Sequence, residues 1–316
     1  MNATSANPSA RLIPTGVRYM LASAFFFSLM SLLVKLAGRA VPSQEIVLAR
    51  GIVTLLLSYW LVRRALIWPW GQRRWILILR GLVGFAAMSC FYFALTRLPL
   101  AEATVLHYTN PIWTGLLAAL LLRERLSAWV AGPIAMSFVG VVLITRPAFL
   151  FGSGAAEIDL VGVGVALLGA MLSAGAYVAV REASKTEHAL VIVFYFPLIT
   201  VPASLPFASG FVWPPAWVWL VLLGVGVATQ IAQIFLTRGL SLEPAARAMA
   251  VGYAQILFVV IWGILFFEEY LDVWSATGSL LVIAGTLAVA LKGKGPVPGA
   301  AHTERASREL AGAGRP

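Results

Sequence analysis

The sequence predicts an all-α integral membrane protein, with ten transmembrane helices arranged as two five-helix repeats of inverted topology. Three observations lead there. The 316 residues are 60% hydrophobic and 11% charged, with a mean hydropathy of +0.88, whereas a soluble domain carries about 45–50% apolar and ~25% charged residues. Apolar runs of about 20 residues, the length that crosses a bilayer core, recur along the whole chain. The second half also repeats a residue pattern of the first. So little charge cannot cover a water-soluble enzyme of this size, and so much apolar surface excludes a disordered chain.

The spans follow in order. Segments 17–37, 45–62 and 75–95 are apolar runs separated by short loops. Segment 103–122 contains the densest polar stretch of any span, His107-Tyr-Thr-Asn-Pro111. Segment 127–145 completes a first unit of 17–147. A second unit, 158–291, holds 159–181, 188–208, 216–236, 244–265 and 272–291. Span 188–208 carries Pro197, Pro202 and Pro206, so it is expected to break; neighbours or water must then satisfy the freed carbonyls. Residues 1–16 form a polar cytoplasmic tail. Residues 292–316, rich in Gly, Pro and Ala, are expected to be a disordered one. The loops leave no room for an inserted soluble domain.

Basic residues set the orientation. With both ends cytoplasmic, Arg63, Arg64, Arg73, Arg74, Arg123, Arg125, Arg181, Lys185 and Arg238 join the basic residues of the tails on the inner side. Only Lys35, Arg39, Arg97 and Arg146 fall outside. This is the positive-inside pattern of a cytoplasmic (inner) membrane protein, so the net charge of +10 reads as topology rather than nucleic-acid binding. Trp68, Trp70 and Trp75 flank one inner loop, and Trp213, Trp217 and Trp219 one outer loop, as an interfacial belt requires. Cys90 is the single cysteine, so neither an intrachain disulfide nor a thiolate cluster is possible. His107, His188 and His302 have no metal-ligand spacing. Met1–Gly16 lacks the pattern of a secretory leader.

The internal repeat is the most informative feature. Tyr108, Glu124, Leu126, Trp129 and Gly140 match Tyr253, Glu269, Leu271, Trp274 and Gly285, each 145 positions on. Upstream, Phe93-Ala-Leu-Thr-Arg97 is similar to Phe235-Leu-Thr-Arg238. Five spans per unit place the two copies in opposite orientations, and the charges agree: the loop after Arg97 is outside, that after Arg238 inside. Inverted repeats let two similar halves exchange conformations, converting an inward-open cavity into an outward-open one.

These residues resemble a known family. Leu98-Pro-Leu-Ala-Glu102-Ala-Thr, Asn110-Pro111 and Leu122-Arg-Glu124-Arg-Leu126 are similar to the EamA-type repeat of the drug/metabolite transporter superfamily. So is Leu240-Ser-Leu-Glu-Pro244-Ala through Phe267-Glu-Glu269, without a proline matching Pro111. Glu45 with Arg50 in the second span also fits. The resemblance covers about 17–291. It implies ten helices, a central cavity lined mainly by helices 1–4 and 6–9, and alternating access for small metabolites.

Several spans carry polar residues on one helix face: Ser28, Ser31 and Lys35; Ser89, Tyr92 and Thr96; His107, Asn110 and Thr114; Gln230, Gln233 and Thr237. Such stripes avoid lipid. They line a wet cavity, or they bond helix to helix; two carboxamides one turn apart, Gln230 and Gln233, favour the cavity. Pro111 has no amide hydrogen and should kink its helix, freeing the His107 carbonyl as a ligand contact. His107 is the best candidate for a proton-linked step, against a plain structural histidine. Arg50 snorkels outward, pairs with Glu45, or holds a substrate carboxylate or phosphate. Arg80 and Lys35 read as interfacial anchors. Glu124 and Glu269 end helices where the dipole disfavours a carboxylate, so neighbouring bases or the amides opening the next helix must compensate; Ser127 and Asp272 are N-cap candidates. The substrate-binding candidates are His107, Tyr108, Asn110, Trp113, Gln230, Gln233, Tyr253, Gln255 and Arg50.

No acidic residue lies deep in a span. No phosphate-binding glycine loop, metalloprotease motif or nucleophile elbow is present, so no cofactor, metal site or catalytic residue is expected. The expected function is secondary transport of a small organic metabolite, best an amino acid or related zwitterionic or aromatic compound. Vitamins, nucleoside derivatives and drugs come next. The competing class is a multi-pass enzyme acting on a lipid-like substrate with His107 as base, for which no ionisable cluster exists at one interface. Expected partners are the substrate and the lipid bilayer, with a homodimer admitted and nucleic acid excluded.

Overall fold

The computed structural model describes residues 13–97, 106–124, 128–145, 148–151, 159–207, 213–267 and 273–291. The expected tails fall largely outside these residues, as do Glu102, Ser127, Glu269 and Asp272. Among the described residues the regular structure is entirely helical. The helices are α1 (Thr15–Ala37), α2 (Ser43–Arg64), α3 (Arg74–Arg97), α4 (Asn110–Leu121), α5 (Ala128–Thr145) and the single turn α6 (Ala148–Phe151). The second half supplies α7 (Leu160–Ala183), α8 (Ala189–Ser204), α9 (Ala216–Leu242), α10 (Ala245–Gly252), α11 (Ala254–Phe267) and α12 (Val273–Leu291).

Six segments are long and apolar enough to cross a bilayer: α1, α2, α3, α7, α9 and the α10–α11 run. Four further apolar helices, α4, α5, α8 and α12, are shorter within the described residues. The chain is a multi-pass membrane protein, and its surface follows. Leu56, Leu120, Leu160, Leu220 and Leu280 stand exposed on helix flanks, while Gln230, Asn110, Arg80 and Thr237 are buried. That is the reverse of a soluble globule.

Local chemistry sets the helix starts. Prolines 14, 42, 215 and 244 precede α1, α2, α9 and α10. There a missing amide costs nothing, because the first turn leaves its amides unbonded anyway. Asp159 caps α7, its Oδ1 accepting from the amides of Val161 (3.0 Å) and Gly162 (3.1 Å). His188 caps α8 through Nδ1, which accepts from Leu190 N at 3.2 Å. The seventh span does not break where its prolines suggest. α8 runs through Pro197 and Pro202 and tightens to a 3₁₀ turn only at Leu205–Phe207.

Packing pairs the two halves. α1 lies along α9 and α3 along α7; α2 touches α9 and α3 touches α8; α1 meets α10–α11 and α4 meets α7. α2 with α8, α5 with α12 and α4 with α10 are the other extensive contacts between the halves. Exchanging α1 with α7, α2 with α8, α3 with α9, α4 with α10–α11 and α5 with α12 maps these larger contacts onto one another, while smaller ones such as α8 with α9 have no counterpart of similar size. The α5–α12 contact is close because glycines meet there: a Cβ on Gly140 would lie 2.5 Å from the Gly278 carbonyl oxygen, and the converse holds.

Candidate substrate site

A cavity opens where α2, α8 and α9 converge. Arg50, Gly51 and Thr54 of α2 line it, with Val193, Phe196, Pro197 and Thr200 of α8 and Thr229, Gln230 and Gln233 of α9. The i, i+3 spacing of the two glutamines places both carboxamides on this wall. Gln230 Oε1 accepts from Ser58 Oγ at 3.0 Å, and its Nε2 is buried without a partner among the described residues. Pro197 offers no amide to the Val193 carbonyl, so α8 presents an under-bonded acceptor at residues that line the same cavity.

Arg50 lines the cavity. Its guanidinium lies against the sulfurs of Met88 (2.9 Å) and Met30 (3.9 Å), at the cavity rim. Arg80 overturns its expected place at an interface. It is only 4% exposed. Its Nη2 donates to Gln233 Oε1 at 3.3 Å, and its guanidinium sits 4.2 Å over the Phe196 ring. The second turn of α3 reaches inward because α7 and α8 pack along α3, and Arg80 extends from there to Gln233 of α9, which distance from a helix end cannot reveal.

A second cluster forms where two spans are interrupted. The fourth span turns at Tyr108–Thr109 before α4 begins, with Pro111 in its first turn. The ninth is interrupted at Tyr253, the residue matching Tyr108, although no proline stands there. The rings of Tyr108 and Tyr253 stack at 6.1 Å, and Tyr253 Oη donates to the Tyr108 carbonyl at 2.9 Å. The break frees that carbonyl: Ile112 N bonds Thr109 O instead, at 3.0 Å. The freed acceptor expected at His107 is thus accompanied by one at Tyr108, which is spoken for by the other half. The His107 ring lies tilted against Phe91 with centroids 4.5 Å apart, its Nδ1 buried and unpartnered among the described residues, as is Asn110 Oδ1. Tyr177 on α7 lies within electrostatic reach of both Tyr108 and Arg80, linking the two clusters.

Of the nine candidates, then, Arg50, Gln230 and Gln233 line the cavity; His107, Tyr108, Asn110 and Tyr253 gather at the paired breaks. Trp113 and Gln255 are half-buried on α4 and α11 and line no part of the cavity. Arg80 and Ser58 are the residues that sequence reasoning missed.

One end of the molecule is tied across the halves. Glu124 is compensated by a base and a helix-opening amide of the opposite half, where the sequence pointed to its chain neighbours: its Oε1 accepts from Arg181 Nε at 3.0 Å, and its Oε2 from Ala245 N, opening α10, at 2.9 Å. Arg181 Nη1 also donates to the α9 terminus, at Leu240 O (3.0 Å) and Ser241 O (2.8 Å). Glu187 accepts from Gln72 N at 2.7 Å and Tyr195 Oη donates to Trp70 O at 2.9 Å, so the α2–α3 loop is held by the second half. Beside them Glu243 pairs with Arg247 at 2.9 Å. Burial raises the Glu243 carboxyl above its ordinary value, and Arg247 pulls it partly back.

A bundle of apolar helices with a polar, cation-bearing cavity between similar halves defines a membrane transporter of small molecules, with no catalytic constellation among the described residues. The comparisons agree. The EamA-like transporter family model matches residues 14–146 and again 160–291, and the chain belongs to that family. It is 34% identical over 286 residues to the pseudopaline exporter CntI of Pseudomonas aeruginosa (strain UCBPP-PA14), covering 90% of this chain and 99% of that protein. It is 31% identical over 290 residues to human solute carrier family 35 member G1, covering 88% and 79%. A solved crystal structure superposes with a TM-score of 0.72 at 21% identity, over 85% of this chain and 96% of that one, which speaks for the fold alone. The family and these relatives are transporters, not enzymes.

Proposed function

We propose that the protein is a secondary transporter of the cytoplasmic membrane that carries an amino acid or related zwitterionic or aromatic metabolite by alternating access. Its two five-span units, 17–147 and 158–291, lie in opposite orientations with both termini cytoplasmic. The carrying observation is the constricted cavity between paired halves. The space open to the centre of a water-sized sphere totals about 10 Å³, room for about one water, whereas sites for drug-sized solutes measure about 300–1,000 Å³. A rigid pocket of this size holds no metabolite, so the halves must part to admit one. The exchange symmetry of the helix pairs supplies two equivalent ways of parting, and the tied end is the one assigned to the cytoplasm. The paired breaks at Tyr108 and Tyr253 are where the fourth and ninth spans can bend. The likeness to a pseudopaline exporter favours outward transport and makes pseudopaline a solute to test.

The test is counterflow. Proteoliposomes loaded with an unlabelled amino-acid mixture, or with pseudopaline, are diluted into labelled solute. Transient accumulation above equilibrium is the expected result, reduced at least fivefold by Gln230→Ala. An enzyme would alter the label chemically. Absence of exchange for both solute sets, with intact protein in the vesicles, would refute this substrate assignment.

A further inference from the structure

We infer that Arg80 and Gln233 form a binding station for a carboxylate of the transported solute; this rests on the transporter reading above and names its substrate class. Arginine stays charged in proteins, and an isolated charge in a low-dielectric interior is costly unless it is paired. Arg80 is buried at 4% exposure. Among the described residues no carboxylate lies within ion-pairing distance of it, and its Nε and Nη1 have no hydrogen-bond partner. Among the described residues its hydrogen-bond and ring contacts are the neutral Oε1 of Gln233 at 3.3 Å and the π face of Phe196 at 4.2 Å, with Tyr177 within electrostatic reach.

The setting points to a ligand rather than to a structural cation. Gln233 and Phe196 both line the central cavity, so the guanidinium stands directly behind its wall. Gly84, one turn beyond Arg80, keeps the space clear: a Cβ there would come within 3.2 Å of Nη1 and 2.9 Å of the Phe196 ring. A structural arginine in such a place would be matched by a resident acid, as Arg181 is by Glu124 and Arg247 by Glu243. The unmatched one keeps Nε–H and Nη1–H free, and the second N–H of Nη2 can complete a two-nitrogen fork with either toward a carboxylate. A transported anion supplies the missing counter-charge when bound and removes it when released.

The test compares wild type with Arg80→Gln, Arg80→Lys and Gln233→Glu. Cells overexpressing each variant are profiled for metabolites inside and in the medium. The expected result is that solutes redistributed by wild type carry a carboxylate, and that Arg80→Gln lowers their redistribution at least tenfold at equal membrane abundance. Arg80→Lys keeps the charge without the fork and should retain part of it. Gln233→Glu gives Arg80 a permanent partner, so Tm should rise while redistribution is lost. A purely structural arginine would instead tolerate that change with transport intact. Normal transport by Arg80→Gln or by Gln233→Glu, or redistributed solutes without carboxylates, would overturn the inference.

A binding measurement separates this from failure of the transporter reading, which would show as identical profiles for wild type and empty vector. In neutral-lipid nanodiscs, benzoate should raise the Tm of wild type and benzamide should not, and neither should affect Arg80→Gln. Stabilisation by chloride alone, or by benzamide equally, would overturn the carboxylate site whatever the transport result.

Discussion

Asn110 and Gln230 are buried carboxamides held in opposite ways, and the difference predicts what each does when removed. Asn110 Oδ1 has no partner among the described residues. Deleting an unsatisfied buried acceptor removes a desolvation cost of about 1–3 kcal/mol, so Asn110→Ala should leave thermal stability unchanged or higher while transport falls. Gln230 is bonded to Ser58, so Gln230→Ala should cost about 1 kcal/mol as well as transport. Tyr253→Phe strips the donor from the Tyr108 carbonyl and should lower stability by about 1–3 kcal/mol. Thermal unfolding in detergent beside vesicle transport checks all three. A large loss of stability in Asn110→Ala would mean that its side chain is structural. The glutamines were legible in the sequence, since a three-residue spacing in an apolar span admits only one face. Arg80 was not. A basic residue two turns from a helix end reads as an anchor, and only the packing of α7 and α8 against α3 turns it inward.

At the scale of elements, hydropathy outlined most spans to within a few residues, because the bilayer demands long apolar helices regardless of their neighbours. Where helices stop inside the membrane was harder to read. Pro111 announced the interruption of the fourth span through its missing amide, although the turn precedes the proline. The matching interruption at Tyr253 has no proline and follows Gly252; its signal was the 145-residue offset itself. In the seventh span Pro197 and Pro202 announced a break that α8 does not make, whereas Pro206 lies in the 3₁₀ turn that ends it. Register also marked Gly140 and Gly285, and the structure gives the reason: α5 and α12 touch backbone to backbone, and a Cβ on Gly285 would fall on Ser137. Gly140→Leu should force these helices apart, costing about 1–3 kcal/mol by overpacking. Gly132→Leu, on the same helix where a Cβ meets nothing within 4 Å, should be tolerated. Equal loss of folded protein from both variants would contradict a specific α5–α12 contact.

For the whole molecule the proposed alternating access has the two ends take turns, so that the end tied by Glu124, Arg181 and Glu187 opens in every cycle. The Arg73–Glu182 pair gives direct purchase on that step. It bridges the α2–α3 region to α7 at 3.2 Å, and both side chains are partly exposed, at 50% and 26%. Exposed ion pairs contribute about 0–1 kcal/mol, so replacing both residues should leave the fold intact. With Cys90→Ser as background, Arg73→Cys and Glu182→Cys provide two thiols facing each other across the halves. A short, reducible thiol crosslinker should join them and hold that end shut. Counterflow of the transported solute should then stop, and reduction should restore it. Each single-cysteine variant should be indifferent to the reagent. Closure as one stage of a cycle predicts this reversible arrest, whereas a permanent structural floor predicts none. Undiminished counterflow in fully crosslinked vesicles would therefore place the moving parts elsewhere.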